Sequence, residues 1–470
     1  MSELKRGADI PVRHSELNGH SEDNGGLENP PSVERESGGG QSMSDSNLLI
    51  EPLPPGWKNH HFGELCDRVK DSYQPIDGGD TPYVGLEHLA QGFPAFVGRG
   101  KESEVKSSKT AFKIGDILFG KLRPYLRKGA QADFDGVCST DILAFRAKLI
   151  CASEFLKFVI HSDEFVSHAK STTSGVQHPR TSWPSLREFR LSLPPLPEQK
   201  KIAHILSTVQ RAIDAQERII QTTTELKKAL MHKLFTEGLR NEPQKETEIG
   251  LVPESWELDR VDSAFEIQQG KQVSKKNREG NNQHSFLRTK NVFWNRLDLS
   301  ELDKMNFSEV EEKRLELRPG DLLTCEGGDI GRTALWNGEV QNCYYQNHLH
   351  RLRSKNGRVD PKFGVYWLYY AFNEAKIYFG RGNITTIPNL SQSKLAELPM
   401  VLPSRSEQKD IVTILDAVGN RSEVAERKKM QLENLFRTLL HELMTAKTQV
   451  HEFDFSSVAS ESETTERKAI

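Results

Sequence analysis

The chain has 470 residues, 36% hydrophobic and 27% charged, which is enough apolar material for buried cores and a length that fits roughly two to four domains. No run reaches the ~20 apolar residues of a membrane span, and the opening MSELKRGADI lacks the apolar core of a secretory signal, so neither export nor a membrane partner is expected. Five cysteines (Cys66, Cys138, Cys151, Cys325, Cys343) form no C-x-x-C pair, and their odd number excludes a complete disulfide framework, which points to a reducing cytoplasm.

The net charge of −3 is unevenly placed. Residues 1–51 hold 4 basic and 10 acidic side chains and residues 448–470 hold 2 and 5, so the body between them is cationic. A mildly cationic body suits a protein that meets phosphates without depending wholly on them. Residues 1–51 cannot bury enough apolar area to offset chain entropy and read as a disordered leader. Within it, Asn29 to Ser32 spells all but the aromatic position of the Asn-Pro-Pro-aromatic motif of amino-methyltransferases. Ser32 cannot stack on a flipped base, so methylation by this chain is not expected.

Residues 52–195 read as a first globular part. Gly115 to Leu122 comes close to the phosphate-cradling G-x-x-x-x-G-K-[ST] loop. Leu122 cannot ligate magnesium, however, and Ile117, Leu118 and Phe119 read as a buried strand whose amides are not free to face a phosphate. Beyond it Lys121, Arg123, Arg127 and Lys128 crowd around Pro124, which blocks a regular strand, so these side chains are expected to emerge from a loop. Gln177 and Arg180 follow Gly175, and both residue types can make two hydrogen bonds to a purine edge. Any one of these cations can equally be a solvated surface charge, so the clusters carry the reading.

Residues 196–240 are helical by period. Ile202, Leu206, Val209, Ile213, Ile220, Leu230 and Leu234 keep to steps of three and four, and Gly238 fits a terminal cap. About 40 residues make a rod of roughly 60 Å.

A second globular part spans 250–402. Lys271, Lys275, Lys276 and Arg278 precede Asn281 and Asn282, then come Arg288, Lys290 and Asn291, and Arg332 follows the glycine-rich Gly327 to Gly331. Residues 403–447 are helical again, with Ile411, Leu415, Val418, Ala425, Leu432, Phe436, Leu439 and Leu443 on one stripe and a capping box expected at Ser404 to Glu407. Residues 448–470 read as a disordered tail. No H-E-x-x-H or clustered Cys/His spacing suggests a metal.

The two halves repeat. An offset of 209 carries Glu198 onto Glu407, Gln199 onto Gln408, Ile205 onto Ile414, Val209 onto Val418 and Leu234 onto Leu443 without a gap, while Leu53 to Trp57 matches Val252 to Trp256 and Gly115 to Leu118 matches Gly320 to Leu323. Neither helix is a clean homodimer zipper, since Gln216, Thr223 and Lys227 interrupt the first stripe and Ser422 and Lys429 the second. Each helix could pack only on its own globular part, but ordinary globular helices run about 11 to 12 residues and one this long usually has a long partner, which favours pairing of the two. The expectation is therefore a mixed α/β fold with two globular domains joined by two long helices in an intramolecular antiparallel coiled coil, a tandem pseudo-two-fold repeat. The heads would sit at opposite ends of the rod and suit two unequal half-sites on a duplex.

The P-P-L-P-E-Q-K-K-I at Pro194 to Ile202, its echo E-Q-K-D-I at Glu407 to Ile411, the L-M-H-K-L-F-T-E-G at Leu230 to Gly238 and the K-L-R-P-Y-L at Lys121 to Leu126 together resemble the specificity subunit of type I restriction-modification systems, over about residues 52–447. The resemblance implies two target-recognition domains reading a split sequence of double-stranded DNA. It implies helical regions that set their spacing and hold two modification (methyltransferase) subunits, and through them restriction/translocase subunits. It also implies a subunit that is not itself catalytic, with no cofactor in this chain and partners that bring S-adenosylmethionine, ATP and magnesium. The sequence departs from the plainest family pattern in its leader and at Ser404, Arg405 and Ser406. A two-headed coiled-coil scaffold without DNA binding is the alternative.

Overall fold

The computed structural model describes residues 53–378 and 389–450. The leader, with Asn29 to Ser32, and the tail from residue 451 lie outside the described residues.

In head one the apolar runs become a four-stranded antiparallel sheet of β1 (Cys66–Arg68), β2 (Ile117–Gly120), β3 (Gly129–Gln131) and β4 (Ile142–Ala147) in the order β1-β4-β2-β3. The middle strand β2 is buried along its whole length, and the amide of Gly120 bonds the Lys128 carbonyl at 2.8 Å, so the near-phosphate loop is spent on sheet pairing. Head two repeats this with β5 (Phe265–Gln269), β6 (Leu322–Cys325), β7 (Thr333–Leu335) and β8 (Leu349–Ser354) in the order β5-β8-β6-β7. Each head adds a second sheet containing one parallel pairing, Tyr83 opposite Val137 in head one and Phe286 opposite Tyr344 in head two.

The same buried ion pair recurs just ahead of each middle strand. Asp116, 2% exposed, accepts from Arg146 Nε (2.8 Å) and Nη2 (2.7 Å) and from the Lys113 amide, and Asp321, 1% exposed, accepts from Arg353 Nε and Nη2 (both 2.7 Å) and from the Arg318 amide. A carboxylate this buried is tolerable only with its lone pairs filled, which makes each aspartate a fixed point for the strand that follows.

A two-stranded ribbon brings the start and end of each head together, Lys58–His61 with Arg190–Leu193 and Glu257–Arg260 with Pro399–Leu402. From each ribbon the chain enters a long helix, α1 (Leu196–Thr236) and α2 (Arg405–Met444). The Glu-Gln pair of the repeat fixes both helix starts. Gln199 Nε2 donates to the Ile150 and Pro194 carbonyls (both 2.9 Å) and its Oε1 accepts the Ala152 amide (2.8 Å). Gln408 does the same with the Arg358 and Pro403 carbonyls (3.2 and 2.9 Å) and the Asp360 amide (2.7 Å).

Its neighbours diverge. Glu198 accepts from the Trp57 indole (3.1 Å), whereas Glu407 accepts the Leu239 amide (3.0 Å) just past the end of α1. The capping box at Ser404 is thus half made: Ser404 Oγ accepts the Glu407 amide (3.3 Å), but the Glu407 carboxylate has turned to the other helix. Gly238, at φ +66, follows the last turn of α1 as a terminal cap.

The helices pair antiparallel, with Lys429 bonded to Glu217 near the middle. Ile202, Leu206 and Ile213 from the start of α1 and Phe436, Leu440, Leu443 and Val450 from the end of the chain share the head-one core. Met231, Leu234, Phe235, Ile411 and Leu415 share the head-two core. Val209, Ile220, Leu230, Val418, Leu432 and Leu439 are half-buried. The apolar stripe therefore shifts at each C-terminal end, where Met231, Phe235 and Leu440 are buried more deeply than Leu230 and Leu439, because the helix end faces the other half's head as well as its partner helix. Two small residues are buried mid-seam, Ala425 and Thr223, whose hydroxyl is satisfied by the Ile219 carbonyl at 2.7 Å. Ahead of head two, the hairpin Gln244–Thr247 with Gly250–Pro253 begins before residue 250, where the sequence placed the boundary.

Candidate nucleic-acid interface

In head one, two segments some fifty residues apart in sequence form one surface. The chain leaves β2 through Lys121 and passes a 3-10 turn at Pro124–Leu126 whose flanks, Arg123 (φ 51) and Arg127 (φ 49), both adopt the left-handed conformation that side chains disfavour. The second segment, Ser174–Arg180, is closed by two backbone bonds between Ser174 and Arg180 (both 3.0 Å) and turned by Gly175 at φ +92. They are stitched together by Arg123 N to Pro179 O (2.8 Å) and Thr181 N to Lys121 O (3.1 Å).

Within this surface the expected readers divide. Arg127 donates to the His161 carbonyl (3.0 Å) and pairs with Asp163. Lys128 donates to the Leu86 carbonyl (2.6 Å). Arg180 holds Asp141 with two bonds (2.8 and 3.1 Å), and this guanidinium keeps the Asp141 carboxyl below its usual range. These three cations fix the loops that carry the others. Among the described residues Lys121 and Arg123 make no ion pair or side-chain hydrogen bond, and Gln177 is exposed. Tyr125, half exposed, and Val176, wholly exposed, stand on the same surface. Neither carries a charge or an amide that would mark it in the sequence; only their place on a strapped loop distinguishes them from ordinary surface residues.

Head two is more committed to itself. Lys271, with a side chain only 10% exposed, donates to the Asn306 carbonyl and to Glu311 (both 2.7 Å) and lies over the Phe307 ring. Asn291, 3% exposed, clamps its loop by donating to the Asp298 and Glu301 carbonyls (2.9 and 3.1 Å) while accepting the Arg288 amide. Arg332 bonds Asp329 (2.7 Å) and the Thr289 carbonyl (2.8 Å) and lies over the Phe293 ring, so it braces the 288–291 turn. Lys271, Asn291 and Arg332 are expected to reach outward, whereas burial and hydrogen bonds inside the head turn all three inward.

Arg288 pairs with Asp303 (2.9 Å), Arg278 approaches the same carboxylate (3.8 Å), and Lys290 pairs with Glu301 (3.1 Å), all at partly exposed positions. Lys275 and Lys276 stand exposed on the one-turn helix Lys275–Arg278, which Ser274 caps. The position that takes the place of Lys121 is Glu326, whose carbonyl accepts the Leu390 amide (2.7 Å) and whose largely buried carboxylate lies 3.3 Å from His348, so the two heads differ in charge at one point of their shared framework. The sequence missed the acidic partners because Asp141, Glu311 and Asp303 lie 15 to 40 positions from the cations they hold.

Free arginine, lysine and glutamine on rigid loops can bind phosphates and base edges. Among the described residues no group of three His, Cys, Asp or Glu could hold a metal ion. All five cysteines are free and buried, and burial pushes the thiol of Cys325 up to about 11 and those of Cys138, Cys151 and Cys343 to about 12, away from nucleophilic use. No described helix is long and apolar enough to cross a membrane.

Residues 54–225 and 253–434 each match the family described as "Type I restriction modification DNA specificity domain". Over 430 residues the chain is 25% identical to the type I restriction enzyme MjaVIII specificity subunit of Methanocaldococcus jannaschii, covering 86% of this chain and 95% of that one. It is 26% identical over 202 residues to the EcoDI specificity subunit of Escherichia coli, covering 42% and 44%. The crystal structure of a type I restriction-modification system S subunit from M. genitalium has the same fold at a TM-score of 0.53, with 15% identity and coverage of 83% and 96%.

Proposed function

The chain belongs to the type I restriction modification DNA specificity family, and from that membership we propose that its heads read the two separated parts of one DNA sequence. Head one does so through the joined loops around Arg123 and Gln177, head two through the surface around Lys275 to Arg278. It is a specificity subunit and performs no catalysis of its own. It acts with DNA and with other subunits of a type I restriction-modification system.

In the finer reading two modification subunits are held along the helix pair and restriction/translocase subunits join through them. The partners supply S-adenosylmethionine, ATP and magnesium, and the assembly works on duplex DNA in the cytoplasm. The observation that carries the proposal is that the duplicated family match falls on two heads of one topology at opposite ends of an antiparallel helix pair. Family membership replaces the DNA-free scaffold.

The test is modular. Exchanging residues 52–195 for the recognition domain of another family member should change one half of the sequence methylated by the assembled system and leave the other half as it was. A change in both halves would show that the heads do not read independently.

A further inference from the structure

The loop Ser174–Arg180 is built unlike an ordinary surface turn. It is pinned at its base by the Ser174–Arg180 backbone pair, at its side by Arg123 N to Pro179 O, and underneath by the two bonds from Arg180 to Asp141. Ordering a loop this thoroughly costs conformational entropy. At its tip it exposes Val176 completely, the most exposed large apolar side chain among the described residues, with Gln177 beside it. A single exposed valine on a loose turn needs no explanation. One held at the tip of a strapped loop, next to a free amide side chain and beside the unpaired Lys121 and Arg123, presents a contact surface of defined chemistry.

That chemistry matches one base pair. In the major groove only thymine offers a methyl group, while adenine on the other strand offers the N6 and N7 pair that a glutamine amide can hold with two bonds. Guanine and cytosine edges give an aliphatic side chain nothing to cover. Arg180, the residue of this loop best shaped to grip guanine, is already taken by Asp141.

Resting on the proposed function, we infer that Val176 is a specificity-determining contact to a thymine methyl in the half-site of head one, with Gln177 reading adenine in the same or the adjacent pair.

The experiment uses the assembled methyltransferase complex and its target, first identified by methylome sequencing. Each thymine of the head-one half-site is replaced in turn by deoxyuridine, which removes one methyl and leaves the base pairing intact. The wild-type complex should lose affinity about three- to ten-fold at one position, the scale of a buried methyl group. Val176→Ala should bind thymine and uracil duplexes alike at that position while keeping its response at the head-two half-site, which shows that the variant is folded and assembled. If the wild-type complex binds every uracil duplex as well as the thymine one, or if Val176→Ala keeps the full discrimination, Val176 is not the reader, although the proposed function stands. If the complex fails to separate its target from a scrambled duplex, the proposed function fails and this inference with it.

Discussion

Arg123 joins in one residue a left-handed backbone, an amide tied to Pro179 and a side chain with no ion pair or hydrogen bond among the described residues. Arg123→Ala should weaken binding to the target by about 1–3 kcal/mol and leave random duplex nearly unchanged if the guanidinium grips a base. Fluorescence anisotropy on both duplexes checks this, and equal weakening on the two would assign Arg123 to a phosphate. A second residue governs behaviour in acid. Glu102 is buried under the segment 73–81 of head one, where hydrogen bonds from Thr81, Ile76 and Tyr73 hold its carboxyl down to about 2. A carboxyl whose folded pKa is depressed stabilises the fold above its unfolded value and loses that contribution as pH falls toward the folded one. The thermal unfolding temperature should therefore fall as pH drops from the ordinary glutamate range to about 2, and Glu102→Gln should be less stable at pH 7 with a flatter profile across that window. At this scale the sequence was legible in part. The charge clusters fall on surface loops as their sequence suggested, but whether a given cation was free depended on acids distant in sequence, as Asp303 shows by meeting both Arg278 and Arg288.

The long helices were the most legible elements, since a stripe kept over forty residues has few alternatives. Where the expectation slipped, at Met231, Phe235 and Leu440, the period and the partner helix were right and the second neighbour was missed: a helix end that also faces a globular core buries a wider side than one facing only a helix. The small strands and the crossing of the two loops in head one had no such period to announce them. The Glu-Gln motif reads in the structure as a clamp between helix and head. Replacing Gln199 with leucine removes three hydrogen bonds and leaves the Ala152 amide and the Ile150 and Pro194 carbonyls without their partner. Such a change should cost about 1–3 kcal/mol in urea unfolding. Gln408→Leu should cost a similar amount, and a negligible effect of both would mean that water replaces the amide.

For the whole molecule, the antiparallel pair behaves as a ruler only if both helices are altered together, because each head is held by the start of one and the end of the other. The Glu217–Lys429 bond places Thr224 across from Ser422. Four residues inserted after both positions add about one turn, near 6 Å, and keep the register. DNA advances ~3.4 Å per base pair. The paired insertion should therefore shift methylation toward targets with a spacer one or two base pairs longer, while an insertion after Thr224 alone should lower stability without defining a new spacer. A paired variant that assembles and still prefers the original spacer in a target series would rule out the ruler. The closure of head one by Phe436, Leu440, Leu443 and Val450 also bears on synthesis. The first part of the chain to leave the ribosome is the last to be finished. At about 5–20 residues per second the remaining half takes on the order of ten to fifty seconds to emerge. Throughout that interval the nascent head shows chaperones and proteases the apolar face that the C-terminal turns will cover, and a message broken after α1 yields a core left open.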